Sequence, residues 1–309
     1  MTGLPAKGLG MWLRVLGSAA GGGFPQWNCG CPNCRAVRAG SRPGRPRTQS
    51  SIAVSTDHQR WFLFNASPDI RTQIESFHAL QPGAGRATPL QAVLLTDAEL
   101  DHTLGLLLLR EAKSIELHAT AAVRETLCRA TAILRTLEAY CAVTWREVVP
   151  GEETRLGGGL SYRAFDVPTD KRNRFGPGRE HGRVVGYRLT DRTSGRTAVY
   201  LPVVQQLTAA VLAELSDCDC LLIDGTCWHD DEMIRLGLAS KTSRDMGHLP
   251  IAGPDGSLRR VAELPAQRKI YVHLNNTNPV LLNDAPERRV VEQHGIEIAS
   301  DGLEVRLTP

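Results

Sequence analysis

Leu94-Leu95-Thr96-Asp97-Ala98-Glu99-Leu100-Asp101-His102-Thr103-Leu104-Gly105 is the most chemically loaded strand end in this chain. An apolar strand runs out into a loop with three carboxylates and one histidine within six residues, and a leucine-rich helix follows. A helix or loop cap accounts for one polar residue, Thr96 or Asp97, but not for four. Carboxylates this close repel each other unless a cation or protons neutralise them. Asp101 and His102 then offer one oxygen and one nitrogen ligand, with Glu99 as a third.

Working outward, other polar residues also stand at the ends of apolar runs. Asp224 ends Leu221-Leu222-Ile223, His273 ends Lys269-Ile270-Tyr271-Val272, and His248 sits beside a glycine in Met246-Gly247-His248-Leu249-Pro250. One such residue is ordinarily a turn cap. Several of them suggest a single shared rim, because layered sheets place their sites at strand ends.

Short runs rich in β-branched and aromatic residues predict strands at Leu13–Leu16, Ser51–Val54, Trp61–Asn65, Ala92–Thr96, Glu116–Ala119 and Leu160–Phe165. Further strands are expected at Val184–Thr190, Thr197–Leu201, Cys220–Asp224, Lys269–His273 and Glu297–Ala299. Helical spacing predicts Ile70–Ser76, Leu104–Ala112, Thr120–Leu137, Gln205–Glu214, Asp230–Leu236, Ser257–Glu263 and Glu287–His294. This mixture points to an α/β (α+β) fold with two sheets packed face to face and helices outside. Two stretches are rich in turn formers, Gly40–Thr48 and Thr169–Arg183. The second is basic and is either a flap over a site or a solvated connection.

Asn28-Cys29-Gly30-Cys31-Pro32-Asn33-Cys34 is the densest cysteine cluster. Its C-x-C-x-x-C spacing puts three thiols on one tight loop, where they can share a soft divalent ion. Three thiolates favour a structural zinc, with a fourth ligand from a distant segment. The remaining cysteines are expected in the core. Cys227, after Asp224, is the one that could face a site.

The composition narrows the partners. Lys plus Arg number 36 against 33 Asp plus Glu, a net charge of +3, too mild for nucleic acid as the main partner. No apolar run approaches the roughly 18 residues of a membrane span. Glycine and Arg14 interrupt the N-terminal apolar run, so it is not expected to be a signal peptide. A cytoplasmic protein is expected, with residues 1–10 a loose lead-in and 11–309 one domain.

LTDAELDHTLG (Leu95–Gly105) resembles the HxHxDH signature of the metallo-β-lactamase superfamily. Asp97 and Glu99 replace its two leading histidines, while Asp101 and His102 are kept. VLGSAAGGGFPQWNCGCPNC, LLTDAELDHTLGLLLLRE, RDMGHLPI and VHLNNTNP together are similar to the B-protein family of pyrroloquinoline quinone (PQQ) biosynthesis. The resemblance implies an αββα sandwich of two mixed sheets, with a metal at one sheet edge. It also implies a role in making PQQ from a ribosomal peptide containing Glu and Tyr, alongside other PQQ biosynthesis proteins.

Two roles are implied. One is iron-dependent hydroxylation of the tyrosine ring of a Glu-Tyr-derived intermediate. The other is carriage of PQQ or a precursor toward the periplasm. A mononuclear hydrolase is a third alternative. The superfamily's binuclear site also uses a histidine after Tyr162–Phe165 and an acid after Val199–Leu201. Val167-Pro168-Thr169-Asp170 and Pro202-Val203 stand there instead, so a two-metal hydrolytic centre is not expected. What survives is a mononuclear set of Asp101, His102 and His273, with Glu99 or Asp224 adding oxygen. That is the ligand set of a non-haem Fe(II) oxygenase using dioxygen.

In this reading His248 gives or takes a proton, since an ordinary histidine titrates near pH 6.5, and Asp224 orients a ligand or binds directly. Lys171, Arg172, Arg174 and Arg179 pair with substrate carboxylates. His273 serves either this metal or the cysteine site, with the first favoured.

Overall fold

The computed structural model describes residues 10–175 and 181–309. Two seven-stranded sheets form its centre. One runs in the order Glu304–Leu307, Met11–Gly17, Ser51–Ser55, Trp61–Phe64, Leu90–Leu94, Ser114–Ala119 and Ala142–Glu147. The other runs Glu297–Ile298, Arg268–Val272, Cys220–Asp224, Thr197–Leu201, Val185–Asp191, Leu160–Asp166 and Glu153–Arg155. Each sheet is mixed. Trp61–Phe64 through Ala142–Glu147 pair in parallel, as do Glu297–Ile298 through Thr197–Leu201, and the other neighbours are antiparallel.

Burial on both faces explains the continuous apolar runs. Val54, Phe62, Phe64, Tyr187, Leu222 and Val272 meet between the sheets. Trp61, Leu63, Leu95 and Leu117 pack outward under the helices of the first sheet, and Leu221, Ile223 and Tyr271 under those of the second. Four layers result, helix–sheet–sheet–helix, as expected. Phe64 is fully buried against Tyr187 and Tyr200, so its truncation to alanine costs roughly 3–5 kcal/mol.

The strands that sequence patterning misses are Ala142–Glu147, Glu153–Arg155 and Glu304–Leu307, all at sheet edges. An edge strand has one solvated side and lacks the apolar signature of a central one; Ala142–Glu147 has no buried residue. The helix expected over Leu104–Ala112 begins earlier, at Leu100–Thr103, and tightens to a 3-10 turn over Leu104–Leu109. Gly105 is why: a Cβ there would lie 2.0 Å from the Ser67 carbonyl oxygen, so only glycine lets the turn pack this closely. The long helix expected over Thr120–Leu137 is Ala121–Glu125, a π turn at Thr126–Ala130, then Ile133–Glu138 after a left-handed Ala132.

The cysteines sit differently from the expected tight loop. Pro32–Arg38 is a helix with Pro in its first turn and Cys31 as its N-cap, a position where the missing proline N–H costs nothing. No helix among the described residues is long and apolar enough to cross a membrane. Residues 1–9, most of the expected lead-in, and Arg179 lie outside the described residues.

Candidate metal centres at one rim

Parallel strands deliver the site residues. Leu90–Leu94 runs out toward Asp97, Cys220–Asp224 ends in Asp224, and Arg268–Val272 is followed directly by His273. His248 comes from the loop after the Arg244–Met246 turn. Ligand atoms of Asp101, His102 and His273 lie within 4.8 Å of one another, and so do those of Asp224, His248 and His273.

The two groups are not equivalent. The Thr226 hydroxyl fills the middle of the second. It donates to Asp224 Oδ1 at 2.6 Å and stands 3.1 Å from His248 Nδ1 and 2.9 Å from His273 Nδ1. That group is therefore a hydrogen-bond hub, in which Asp224 Oδ2 accepts from His248 Nδ1 at 2.7 Å. Asp224 orients a histidine and is not placed as a ligand.

In the first group, Asp97 Oδ2 holds His102 Nδ1 at 2.7 Å, while His102 Nε2 is buried with no hydrogen-bond partner, 3.8 Å from Asp101 Oδ2. With the Thr226 hydroxyl donating to Asp224 Oδ1, or to the His273 carbonyl at 3.0 Å, its oxygen is free to accept from His273 Nδ1–H. His273 Nε2 lies 3.2 Å from Asp101 Oδ2, where it donates a hydrogen bond when protonated and offers a lone pair to a cation when it is not. Two acceptors in contact are unfavourable unless a cation or proton joins them. All three imidazoles are thus anchored through Nδ1 with Nε2 unclaimed by a donor, the usual arrangement around a metal. His273 also has φ +57°, a left-handed backbone costing roughly 1–3 kcal/mol.

The charges agree. Burial raises the Asp101 carboxyl, but His102 and His273 outweigh it and hold the acid well below its usual range. Burial opposes charge on His102, yet Asp97 and Asp101 push it up to about 9. Burial depresses His273, against the pull of Asp101, which disfavours a charged imidazole there. Burial likewise works against Asp97 and Asp224, which their histidine partners nevertheless hold below the ordinary carboxyl range.

Glu99 does not join this group. Its carboxylate takes Lys171 Nζ at 2.7 Å and Arg174 at 3.5 Å. This corrects the expectation of Glu99 as a third oxygen ligand: its side chain turns from the buried cluster to the cationic loop. Lys171, Arg172 and Arg174 line a cavity of about 670 Å³ that also opens onto Asp101, His102, His248 and His273.

Cys29, Cys31 and Cys34 form the third group. The amide of Asn276 faces all three sulfurs, at 3.0, 3.6 and 3.4 Å. His273 therefore belongs to the acidic rim and not to the thiols, while Asn276, three residues on, faces the cysteines. Burial pushes the Cys31 thiol up to about 12. Burial opposes ionisation of Cys29 too, but hydrogen bonds from the Cys31 backbone and its neighbours hold it below the ordinary thiol range. A thiolate-bound cation offsets the cost at Cys31. Cys227 is fully buried and does not line the cavity; burial pushes its thiol well above the ordinary range.

Sequence reasoning missed Asp97 as the anchor of His102, Thr226 as the hub, and Asn276. The signal for Asp97 was present, an acid five residues before a histidine at a strand end. Thr226 carries no such signal, because any loop contains threonines.

Residues 60–274 match the β-lactamase superfamily domain. The coenzyme PQQ synthesis protein B of Azoarcus sp. (strain BH72) is 46% identical over 305 residues, covering 96% of this chain and all of its own. That of Cupriavidus necator is 47% identical over 305 residues, covering 96% and 99%. Zn2+-bound PqqB from Methylobacterium extorquens superposes with a TM-score of 0.89 at 40% identity, covering 96% of this chain and all of that one. A diphosphatase of the PhnP family shares the fold at 21% identity and a TM-score of 0.69. With such identity over nearly its whole length, the chain belongs to the coenzyme PQQ synthesis protein B family, on the β-lactamase superfamily fold.

Proposed function

We propose that the protein acts in PQQ biosynthesis as a mononuclear iron-dependent hydroxylase of the tyrosine ring in a Glu- and Tyr-containing, peptide-derived intermediate. The relatives' shared name supports the pathway. One observation carries the chemistry: a buried His102 Nε2 with no hydrogen-bond partner, beside Asp101 and His273. Two imidazoles and one carboxylate are the facial set of non-haem iron oxygenases. Iron(II) bound there would supply the one-electron chemistry that dioxygen requires.

The protein's own residues do the rest. Asp97 and Thr226 fix the tautomers of His102 and His273. Asp224 holds His248 through Nδ1, leaving Nε2 to take or return the phenol proton at the cavity wall. Lys171, Arg172 and Arg174 receive substrate carboxylates; Arg179 is assigned with them from sequence alone. The cysteine group holds a structural zinc; Asn276, whose Nδ2 faces the three sulfurs, would supply a fourth ligand through its oxygen after its amide turns over.

A second reading follows from the zinc-bound relative. Zinc is redox-inert, and a zinc-loaded rim would serve binding or hydrolysis. Elemental analysis of anaerobically purified protein, with oxygen uptake on a Glu-Tyr dipeptide, separates the two. The hydroxylase reading expects iron-dependent uptake that Asp101→Asn abolishes. Uptake indifferent to iron or to that substitution, or turnover without oxygen, would sink it.

A further inference from the structure

We propose that Glu99 is a built-in stand-in for a substrate carboxylate. It occupies the Lys171–Arg174 cation pair at the cavity mouth and yields it to an incoming acid, so the site selects acidic small molecules over neutral ones. This rests on the reading of the cavity as a substrate site.

The clasp is not needed to hold either backbone. Glu99 N donates to Asp97 Oδ1 at 2.9 Å, and its carbonyl accepts from His102 N at 3.0 Å and Thr103 Oγ1 at 2.9 Å. Lys171 N donates to Thr169 Oγ1 at 3.2 Å, and its carbonyl accepts from Arg183 at 2.9 Å. The Lys171 stem lies over Gly247, where a Cβ would come within 2.9 Å of Cδ and where φ is +94°. Glycine there lets the lysine lie flat beside His248. Losing the ion pair therefore frees one carboxylate arm and leaves the cations in place.

The pair is also weak enough to exchange. Side-chain exposures are 20% for Lys171, 32% for Glu99 and 62% for Arg174. Pairs this solvated change an equilibrium constant only a few-fold. Among the described residues six cations line the cavity (Arg129, Lys171, Arg172, Arg174, Arg183 and Lys241) against five carboxylates, Glu99, Glu125 and Asp245 with Asp97 and Asp101 of the buried cluster. The surplus favours an anionic ligand. A neutral ligand gains nothing from evicting Glu99, whereas an acid replaces it on the same two cations.

Calorimetric titration of the full-length, zinc-loaded protein and Glu99→Gln tests this with a Glu-Tyr dipeptide, glutarate and neutral N-acetyltyrosinamide. Glu99→Gln should bind the two acids roughly fivefold tighter, leave the neutral probe unchanged, and lose its gain in the Glu99→Gln/Lys171→Met double variant. Unchanged or weaker acid binding, an equal gain for the neutral probe, or a gain that survives Lys171→Met overturns the proposal. Loss of one zinc per chain in Glu99→Gln also overturns it, since Glu99 would then be a ligand. If glutarate tightens while the dipeptide does not bind, the stand-in holds and the Glu-Tyr substrate reading fails.

Discussion

The thiol group and the carboxylate–imidazole group are joined by one short segment, with His273 in one and Asn276 facing the other, yet they are built in opposite ways. The cysteines come from six consecutive positions around a helix N-terminus. Backbone N–H groups of Cys31 and Cys34 already serve the sulfurs of Cys29 and Cys31. The rim takes its ligands from segments more than 170 residues apart, Asp101 and His273, and leaves His102 Nε2 without a hydrogen-bond partner. The three thiols of one group are locally encoded, and none of them lines the cavity. The other exists only in the folded chain and opens onto a cavity. A closed ligand set suits a structural ion and an open one suits chemistry.

Asp101→Asn should have the largest effect: at least roughly 100-fold weaker metal binding at the rim, read as loss of one metal per chain while thermal stability stays near that of the parent. Cys31→Ser should do the reverse, removing the thiol-bound metal and lowering Tm by on the order of 10 °C. Unchanged stability with lost turnover would erase the contrast and make the thiol site catalytic. Because His273 and Asn276 share a strand end, a secondary loss of rim-metal affinity in Cys31→Ser would measure how far the two sites are coupled.

Thr226→Val removes the acceptor for His273 Nδ1–H without touching a ligand. Rim-metal affinity should fall about tenfold and Thr226→Ser should restore it, within the range seen for groups that orient ligands. A Thr226→Val protein with parental affinity would show that packing alone positions His273.

A change of pH acts on the same site without any substitution. In the metal-free protein His102 is held up to about 9, so below that pH a cation must displace its proton. Rim affinity should rise with pH by up to about tenfold per unit and level off above about 9. Competition titrations with a chelator between pH 6 and 9 check the slope. A flat profile would show that His102 binds no proton in the free site.

Central elements were legible because burial on both faces writes itself into continuous apolar runs such as Cys220–Asp224. Three of the four edge strands were not, because half of each faces water; Glu297–Ile298 was the exception. Asp101 and His102 were legible as neighbours in a crowded acidic loop, and His273 as a strand-end histidine. Glu99 was misplaced because sequence spacing puts it beside Asp101, whereas its side chain answers to charges 72 residues away on Lys171.

The amino-acid sequence by itself pointed to the two-sheet layering, the thiol cluster and the absence of the superfamily's other metal ligands, since strand patterning, cysteine spacing and residue type are all read along the chain. Tertiary structure alone decided that His273 joins Asp101 and not the cysteines, that Thr226 sits between three partners, and that Glu99 faces the cationic loop. Hydrogen bonds and ion pairs act over about 3 Å, and only folding brings atoms from remote segments to that distance.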